Sequence, residues 1–182
     1  IVADQKAQLE AAFDSALKTA DILLLNGGTS MGTEDYTSTL LQKRASHFQH
    51  GVRCIPGIPV AAAIVDGKPV INLPGPPYAA FCALDWCVKA LVSHWYGLPM
   101  QERKKVKAVL TKPIQKPELH EMYVRLVLQK DGQNGFNAAP MPMEVRFADA
   151  ADRWNGLFIA PIGRGKWDAG CEIDAELLYT DC

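Results

Sequence analysis

A run of glycine and small hydroxyl residues carries the clearest chemical signal in this sequence. Residues 26–32, Asn-Gly-Gly-Thr-Ser-Met-Gly, follow an apolar run at 22–25 and precede an amphipathic segment that starts at Tyr36. This order is typical of a strand, a loop and a helix. Because glycine, threonine and serine leave the loop backbone nearly bare, several N–H groups can point at one anionic ligand. The run predicts a site for phosphate or another oxyanion.

Asp35 stands where the helix after this loop is expected to begin. There its carboxylate can cap the helix, or it can bind a magnesium ion or orient a water molecule beside the anion. Both interpretations stay open at this point.

A second loop, Leu73-Pro74-Gly75-Pro76-Pro77, ends an apolar run at 69–72 and precedes a helix-like segment from Tyr78. Glycine and proline give such a loop a rigid backbone. Ligands of open α/β sheets bind beyond the carboxyl ends of the strands, so two loops of this kind at neighbouring strand ends predict a ligand site.

The overall charge argues against nucleic-acid or membrane partners. The 182 residues carry a formal net charge of −1, with 7 basic and 8 acidic residues up to residue 98 and 12 of each beyond it. Neither the part up to residue 98 nor the part beyond it is basic enough to attract a polyanion non-specifically. Any charged ligand must therefore be recognised locally.

The cysteines and histidines predict neither disulfides nor a metal centre. The five cysteines contain no C-x-x-C motif and the four histidines have no metal-ligand spacing. Reduced thiols and a cytoplasmic location are the expectation, and no apolar run of about 18 residues suggests a membrane span. No set of serine, cysteine and histidine suggests nucleophilic catalysis. The chain opens at Ile1, almost directly with a helix, as a piece of a longer protein would.

The first 98 residues alternate between helical and extended patterns, which predicts helices layered over a sheet. Helices are expected at 5–19, with Asp4 as N-cap, at 36–49 and at 78–96. A strand at 22–25 is expected to be buried on both faces. Extended segments follow at 52–55, 60–65 and 68–73, the last two joined by a tight Asp66-Gly67 turn.

The chain changes character after a polar, proline-bearing linker at 99–105. Residues 106–182 contain short β-like runs at 106–110, 123–129, 136–139, 157–162 and 173–179, with one helical turn at 147–154. This spacing favours a small all-β barrel or sandwich. The domains are therefore predicted to be 1–98, α/β, and 106–182, all-β.

Taken together, the motifs resemble the molybdopterin molybdotransferase family, to which the E domain of gephyrin belongs. The resemblance runs through the glycine loop up to Tyr36, through Pro56-Gly57-x-Pro59 and through Leu73-Pro74-Gly75-x-Pro77, in family order and spacing. It continues at 123–125 and 155–159. It implies the C-terminal part of such a protein: a MogA-like three-layer α/β domain, incomplete at its N-terminus, followed by a β-barrel-like domain.

The resemblance implies an enzyme of molybdenum cofactor synthesis that inserts molybdate into adenylated molybdopterin and releases AMP with the help of Mg²⁺. Asp35 and Asp4 match acidic positions of the family and are the candidate catalytic and magnesium-binding residues. The family also implies a homodimer and contact with other molybdenum cofactor synthesis proteins. The implied substrate-binding residues are Gly27, Gly28, Thr29, Ser30, Gly32, Pro56, Gly57, Pro74, Gly75 and Pro77.

Two positions depart from the family pattern and support an alternative function. The family has a lysine immediately before Pro-Gly and another basic residue four positions earlier, where this chain has Ile55 and Gly51. Loss of two cations near an anion favours a non-catalytic molybdopterin-binding or scaffold module. A third interpretation is the related molybdopterin adenylyltransferase type of domain, which shares the glycine and Leu-Pro-Gly loops but not the β domain.

Overall fold

A computed structural model describes residues 1–2, 5–28, 36–132, 135–150 and 152–178. The chain forms two compact units. The first, the α/β unit, comprises Ile1–Val52 and Gly57–Leu98, and the second, the β unit, comprises Arg53–Pro56 and Pro99–Cys182. The fold class predicted from the sequence, an α/β domain with MogA-like layering and a barrel-like β domain, is confirmed.

The α/β unit is built from helices on both faces of a sheet. Its helices are α1 (Lys6–Thr19), α2 (Tyr36–Arg44), α3 (Pro77–Ala83) and α4 (Lys89–Trp95), and a π-helical turn at Leu84–Val88 joins the last two into one continuous helix. The strands are β1 (Leu23–Asn26), β2 (His47–His50), β4 (Ala61–Val65) and β5 (Lys68–Leu73), while β3 (Cys54–Ile55) belongs to the β unit.

The described residues of the α/β unit form a four-stranded sheet in the order β1-β5-β4-β2. Strand β1 runs parallel to β5, with Leu25 opposite Asn72, whereas β4 is antiparallel to both β5 and β2. The β4–β5 hairpin closes through Asp66 and Gly67, whose φ angles are 50° and 77°. Two successive positive φ angles define the tight turn that the Asp-Gly pair predicts.

Two apolar clusters hold the layers together. On one face, α1 and α2 pack through Phe13, Leu17 and Leu41 against Val65 and Val70 of the sheet. On the other face, the helix at 77–95 packs through Ala83 against Ile71 and Leu73 of β5 and against Val60, which precedes β4. The alternation of β4 between these faces follows from the two-residue period of a strand.

Two sequence-based expectations for the helices of this unit were wrong in detail. Helix α2 ends at Arg44, and residues 47–50 form β2 because their backbone pairs with β4, which places Phe48 in the core as a strand residue. The N-cap position of α1 is Gln5, one residue after the predicted Asp4.

Strand β1 is also not buried on both faces. It pairs with β5 alone among the described residues, and Leu24 is 41 % exposed while Leu23 and Leu25 pack toward α1 and α2. An apolar run therefore predicted the strand correctly but not its place at the edge of the described sheet.

The β unit contains a closed ring of five strands in its described residues. These are β6 (Lys105–Leu110), β8 (Glu121–Lys130), β9 (Phe136–Pro140), β10 (Gly156–Ala160) and β12 (Glu172–Leu177), and β10 returns to pair with β8. Strand β3 joins β8, β7 (Ile114–Gln115) pairs with β11 (Lys166–Trp167), and α5 (Phe147–Ala150) precedes β10. The barrel interior is apolar, from Leu110 and Leu126 to Phe158 and Trp167.

Asn155 and Gly156 fix the closure of this ring. The Asn155 side chain accepts a hydrogen bond from the backbone N–H of Leu128 at 2.7 Å and donates one to its carbonyl at 3.0 Å. A Cβ at Gly156 would lie 2.4 Å from Cδ1 of Leu128. The Asn-Gly pair therefore links the start of β10 to β8, whereas an Asn-Gly sequence is more often found in a hairpin turn. None of the described helices combines the length and apolarity required to cross a membrane.

Candidate functional site

The carboxyl ends of the parallel strands β1 and β5 bring the two predicted loops together. Asn26 and Leu73 are opposite each other at these ends, and the loops continue with Gly27 and Pro74. The Gly27 N–H donates to the Leu73 carbonyl at 3.0 Å, so the pairing extends one residue into the glycine loop. This amide is therefore already bonded and is not one of the donors expected to face an anion.

Two asparagine side chains join the loops. Asn26 Nδ2 donates to the carbonyl of Pro74 at 3.1 Å, and Asn72 Nδ2 donates to the carbonyl of Gly28 at 3.3 Å. Each strand therefore holds the loop that follows its neighbour. These two residues were missed by the sequence analysis, although an asparagine within the apolar run before Leu-Pro-Gly was a visible signal.

Helix α2 holds the glycine loop from a third direction. The Ser38 hydroxyl donates to the same Gly28 carbonyl at 3.4 Å. The peptide oxygen of Gly28 thus points into the protein toward β5 and α2, while Gly28 itself is exposed. The start of the loop is fixed by contacts that leave its outer surface open to a ligand.

The Leu-Pro-Gly loop forms the neighbouring wall. Pro74 is buried, whereas Gly75 and Pro77 are exposed. Pro76 occupies the N-cap position and Pro77 begins the helix, which suits proline because the first helical N–H groups have no intrahelical acceptor. The positive end of the helix dipole of residues 77–95 therefore lies at this edge, where it favours negative charge.

Asn72 has one further property that bears on ligand binding. Its side chain is 0 % exposed, and its Oδ1 has no hydrogen-bond donor among the described residues. Buried polar atoms are nearly always hydrogen-bonded, so an acceptor without a donor at a strand end needs an explanation.

Several predicted site residues lie outside the part of the chain that the structure describes. These are both candidate magnesium ligands and three loop residues, namely Asp4, Asp35, Thr29, Ser30 and Gly32. Within the described ranges, no cluster of three or more His, Cys, Asp or Glu side chains could hold a metal ion. The roles of Asp4 and Asp35 in magnesium binding stay predictions from the sequence.

The Pro-Gly motif at 56–57 is divided between the two units. Pro56 follows β3 in the β unit, whereas Gly57 begins a turn of the α/β unit in which its carbonyl accepts from the Val60 N–H at 3.0 Å. In the chain, that turn follows β3 and leads into β4. Since Ala61 pairs with both His50 and Asn72, the turn lies at the same edge of the sheet as the glycine loop.

The thiol of Cys54 is unsuited to nucleophilic chemistry. It is buried, and burial together with the nearby carboxylate of Glu121 raises its pKa to about 12. Burial also raises the pKa of Glu121, an effect that the Lys116 ammonium opposes. A thiol with so high a pKa stays protonated at neutral pH.

Comparison with known proteins identifies the class that this fold and these loops define. Residues 1–94 match the family described as probable molybdopterin binding domain. The chain is 27 % identical over 187 residues to the molybdopterin molybdenumtransferase of Staphylococcus aureus, covering 97 % of the chain and 43 % of that protein. It is 25 % identical over 182 residues to the enzyme of the same name from Bacillus subtilis, covering 99 % of the chain and 42 % of that protein.

The structural comparison agrees. The fold matches the crystal structure of a molybdopterin biosynthesis MoeA protein from Pyrococcus horikoshii with a TM-score of 0.76 at 22 % identity, over 97 % of this chain and 42 % of that one. The chain belongs to the family of probable molybdopterin-binding domains and is MoeA-like. It spans less than half the length of these relatives.

Proposed function

We propose that this chain takes part in molybdenum cofactor biosynthesis by binding adenylated molybdopterin at the carboxyl ends of β1 and β5. In the proposed reaction molybdate enters the dithiolene of the pterin and AMP is released. The observation that carries the proposal is the joining of the glycine loop and the Leu-Pro-Gly loop at one sheet edge by Asn26 and Asn72.

The chemistry of this edge supports an anionic, partly flat ligand. Removal of AMP from a phosphoanhydride depends mainly on positioned charge rather than on a covalent intermediate. The helix that starts at Pro77 presents its positive end there, and exposed Gly28 and Gly75 leave room for the ligand to approach the backbone. Asp35 and Asp4 would hold Mg²⁺, which neutralises charge on the phosphate oxygens when it is bound.

The proposal extends to the assembly and location of the protein. We take residues 1–98 as the molybdopterin-binding domain and 106–182 as the β domain, in a homodimer that meets other proteins of molybdenum cofactor synthesis. A cytoplasmic location agrees with the free thiols of four described cysteines, Cys54, Cys82, Cys87 and Cys171.

The alternative, a non-catalytic binding or scaffold module, is favoured by position 51. Gly51 has a φ of +85°, and a Cβ there would lie 3.7 Å from the Ile58 carbonyl oxygen. A basic residue at this position would be strained by its backbone, because side-chain-bearing residues rarely adopt this region. The local backbone of this chain therefore disfavours the cation that the family pattern has at this position.

AMP release separates the two functions. The purified chain is incubated with adenylated molybdopterin, molybdate and Mg²⁺, beside the variants Asp35→Asn and Asp21→Asn, the second being an exposed carboxylate of the same unit. Release that needs Mg²⁺ and is lost in Asp35→Asn alone supports the enzyme. Binding of the substrate without release supports the module, and absence of binding contradicts both.

A further inference from the structure

We propose that the side-chain carbonyl of Asn72 accepts a hydrogen bond from the exocyclic amino group of the pterin ring, which makes Asn72 a specificity-determining residue. The inference rests on the proposed function and names which chemical group of the ligand β5 recognises. It assigns the ring, and not the phosphate or molybdate, to this strand end.

The orientation of the amide is fixed by its neighbour. A carbonyl can only accept, so the Gly28 oxygen requires the Nδ2 side of Asn72, at 3.3 Å. A 180° rotation of the Asn72 amide would place its Oδ1 against the Gly28 carbonyl oxygen, and two acceptors repel each other. The Oδ1 atom is therefore held on the side away from the Gly28 oxygen. The group that Asn72 offers to a further partner is therefore an acceptor.

Among the described residues, no donor is paired with this oxygen. In the sheet, Asn72 lies between Leu25 on β1 and Ala61 on β4, and Val70 precedes it on the same face of β5. Two donors at the strand ends are already used, because the Gly27 N–H bonds to Leu73 and the Asn26 amide bonds to Pro74. With Asn72 fully buried, no described group pairs with Oδ1.

An acceptor selects among the parts of the proposed ligand. Phosphate and molybdate oxygens at neutral pH are themselves acceptors and would be repelled. A pterin carries N–H donors, of which the exocyclic amino group projects farthest from the ring edge and can best reach a recessed atom. A site built to hydrogen-bond such a group rejects an analogue without it, because the buried polar atom is then left unpaired.

The test compares two ring probes by fluorescence titration of the full chain. Pterin carries the amino group, and lumazine carries a carbonyl oxygen in its place. The variants are Asn72→Leu, which replaces the amide by an apolar group of similar size, and Asn26→Leu, which makes the same change on β1 and removes the bond to Pro74 without touching the buried acceptor. Thermal unfolding of each variant confirms that it is folded.

We expect wild type to bind pterin at least about tenfold more tightly than lumazine, the usual effect of one unpaired buried hydrogen-bonding group. Asn26→Leu, which loosens the loop pair, should weaken the binding of both probes by the same factor and keep this preference for pterin. Asn72→Leu should bind both probes equally. Equal losses for both probes in Asn72→Leu, with the preference for pterin kept, would mean that Asn72 only supports the loop and would overturn the inference while leaving the proposed function intact. Failure of wild type to bind either probe would contradict both.

Discussion

The side chains of Asn26 and Asn72 make reciprocal hydrogen bonds across two parallel strand ends. Asn26 on β1 bonds to the loop after β5, and Asn72 on β5 bonds to the loop after β1, at 3.1 and 3.3 Å. Asn72 is opposite Leu25, so Asn26 lies one residue further along its strand than the position opposite Asn72. Each amide therefore bonds to the loop that follows the other strand. The glycine loop and the Leu-Pro-Gly loop are thereby held as one structure.

The first prediction concerns the energetic coupling of these two amides. Asn26→Ala and Asn72→Ala should each lower the free energy of unfolding by about 1 kcal/mol, and the double variant should differ from their sum by at least about 0.5 kcal/mol, because both act on one loop pair. Urea denaturation measures these values. Gln42→Ala, an exposed change on α2, should stay within about 0.5 kcal/mol of wild type. Strict additivity would show that the loops are held independently.

The second prediction concerns the β4–β5 turn. Gly67 has a φ of +77°, so Gly67→Ala should destabilise the α/β unit by about 1–2 kcal/mol although nothing lies within 4 Å of the added Cβ. Gly75→Ala is the matched control, because that position also has open space and lacks a positive φ. Thermal unfolding that shows equal losses for the two variants would remove the backbone explanation.

The third prediction concerns closure of the barrel. Asn155→Ala should lower the stability of the β unit by about 2 kcal/mol, because it leaves both the N–H and the carbonyl of Leu128 without their partner. Hydrogen exchange at the Leu128 amide should accelerate in step. Asn137→Ala, an exposed change on β9, serves as the control. An unchanged exchange rate at Leu128 in Asn155→Ala would mean that strand pairing alone closes the ring.

The fourth prediction concerns pH. Burial raises the pKa of Glu121, so the folded state disfavours its charged form. The folded state holds the Glu121 proton more tightly than the unfolded state does, which stabilises the fold at low pH. This stabilisation should be lost as the pH rises from the ordinary carboxyl pKa through the raised value. Glu121→Gln should therefore be more stable than wild type at pH 7 and gain little at pH 4, as measured by thermal unfolding. Glu118→Gln, the same change at an exposed neighbour, is the control variant. An equal gain at both pH values would remove the electrostatic explanation.

The elements could be predicted where local pattern and tertiary contacts agree. The Asp66-Gly67 turn and the helix after Leu-Pro-Gly follow from residue chemistry alone. The prediction of a helix at residues 47–50 was wrong because the local pattern is ambiguous. Ala45 and Phe48 have a helical spacing, but a single apolar residue such as Phe48 also suits a strand with one buried face. Only the pairing of these residues with β4 decides between the two.

The candidate site was predictable in its loops but not in what holds them. Glycine and proline show by composition that the two loops exist. The roles of Asn26 and Asn72 depend on the pairing of β1 with β5. These strands are distant in sequence, so a short stretch of sequence does not show that they are neighbours. For the same reason, the order of strands that leaves Leu24 exposed could not be foreseen from an apolar run.

The most direct test of the central claim is isothermal titration of AMP, the leaving group of the proposed reaction, into the chain with and without Mg²⁺, for wild type and Asp35→Asn. The account predicts binding that is strengthened by Mg²⁺ in wild type and loses that dependence in Asp35→Asn, while Asp21→Asn behaves as wild type. Binding that ignores both the metal and Asp35, or no binding at all, would contradict an adenylated-pterin site at the ends of β1 and β5.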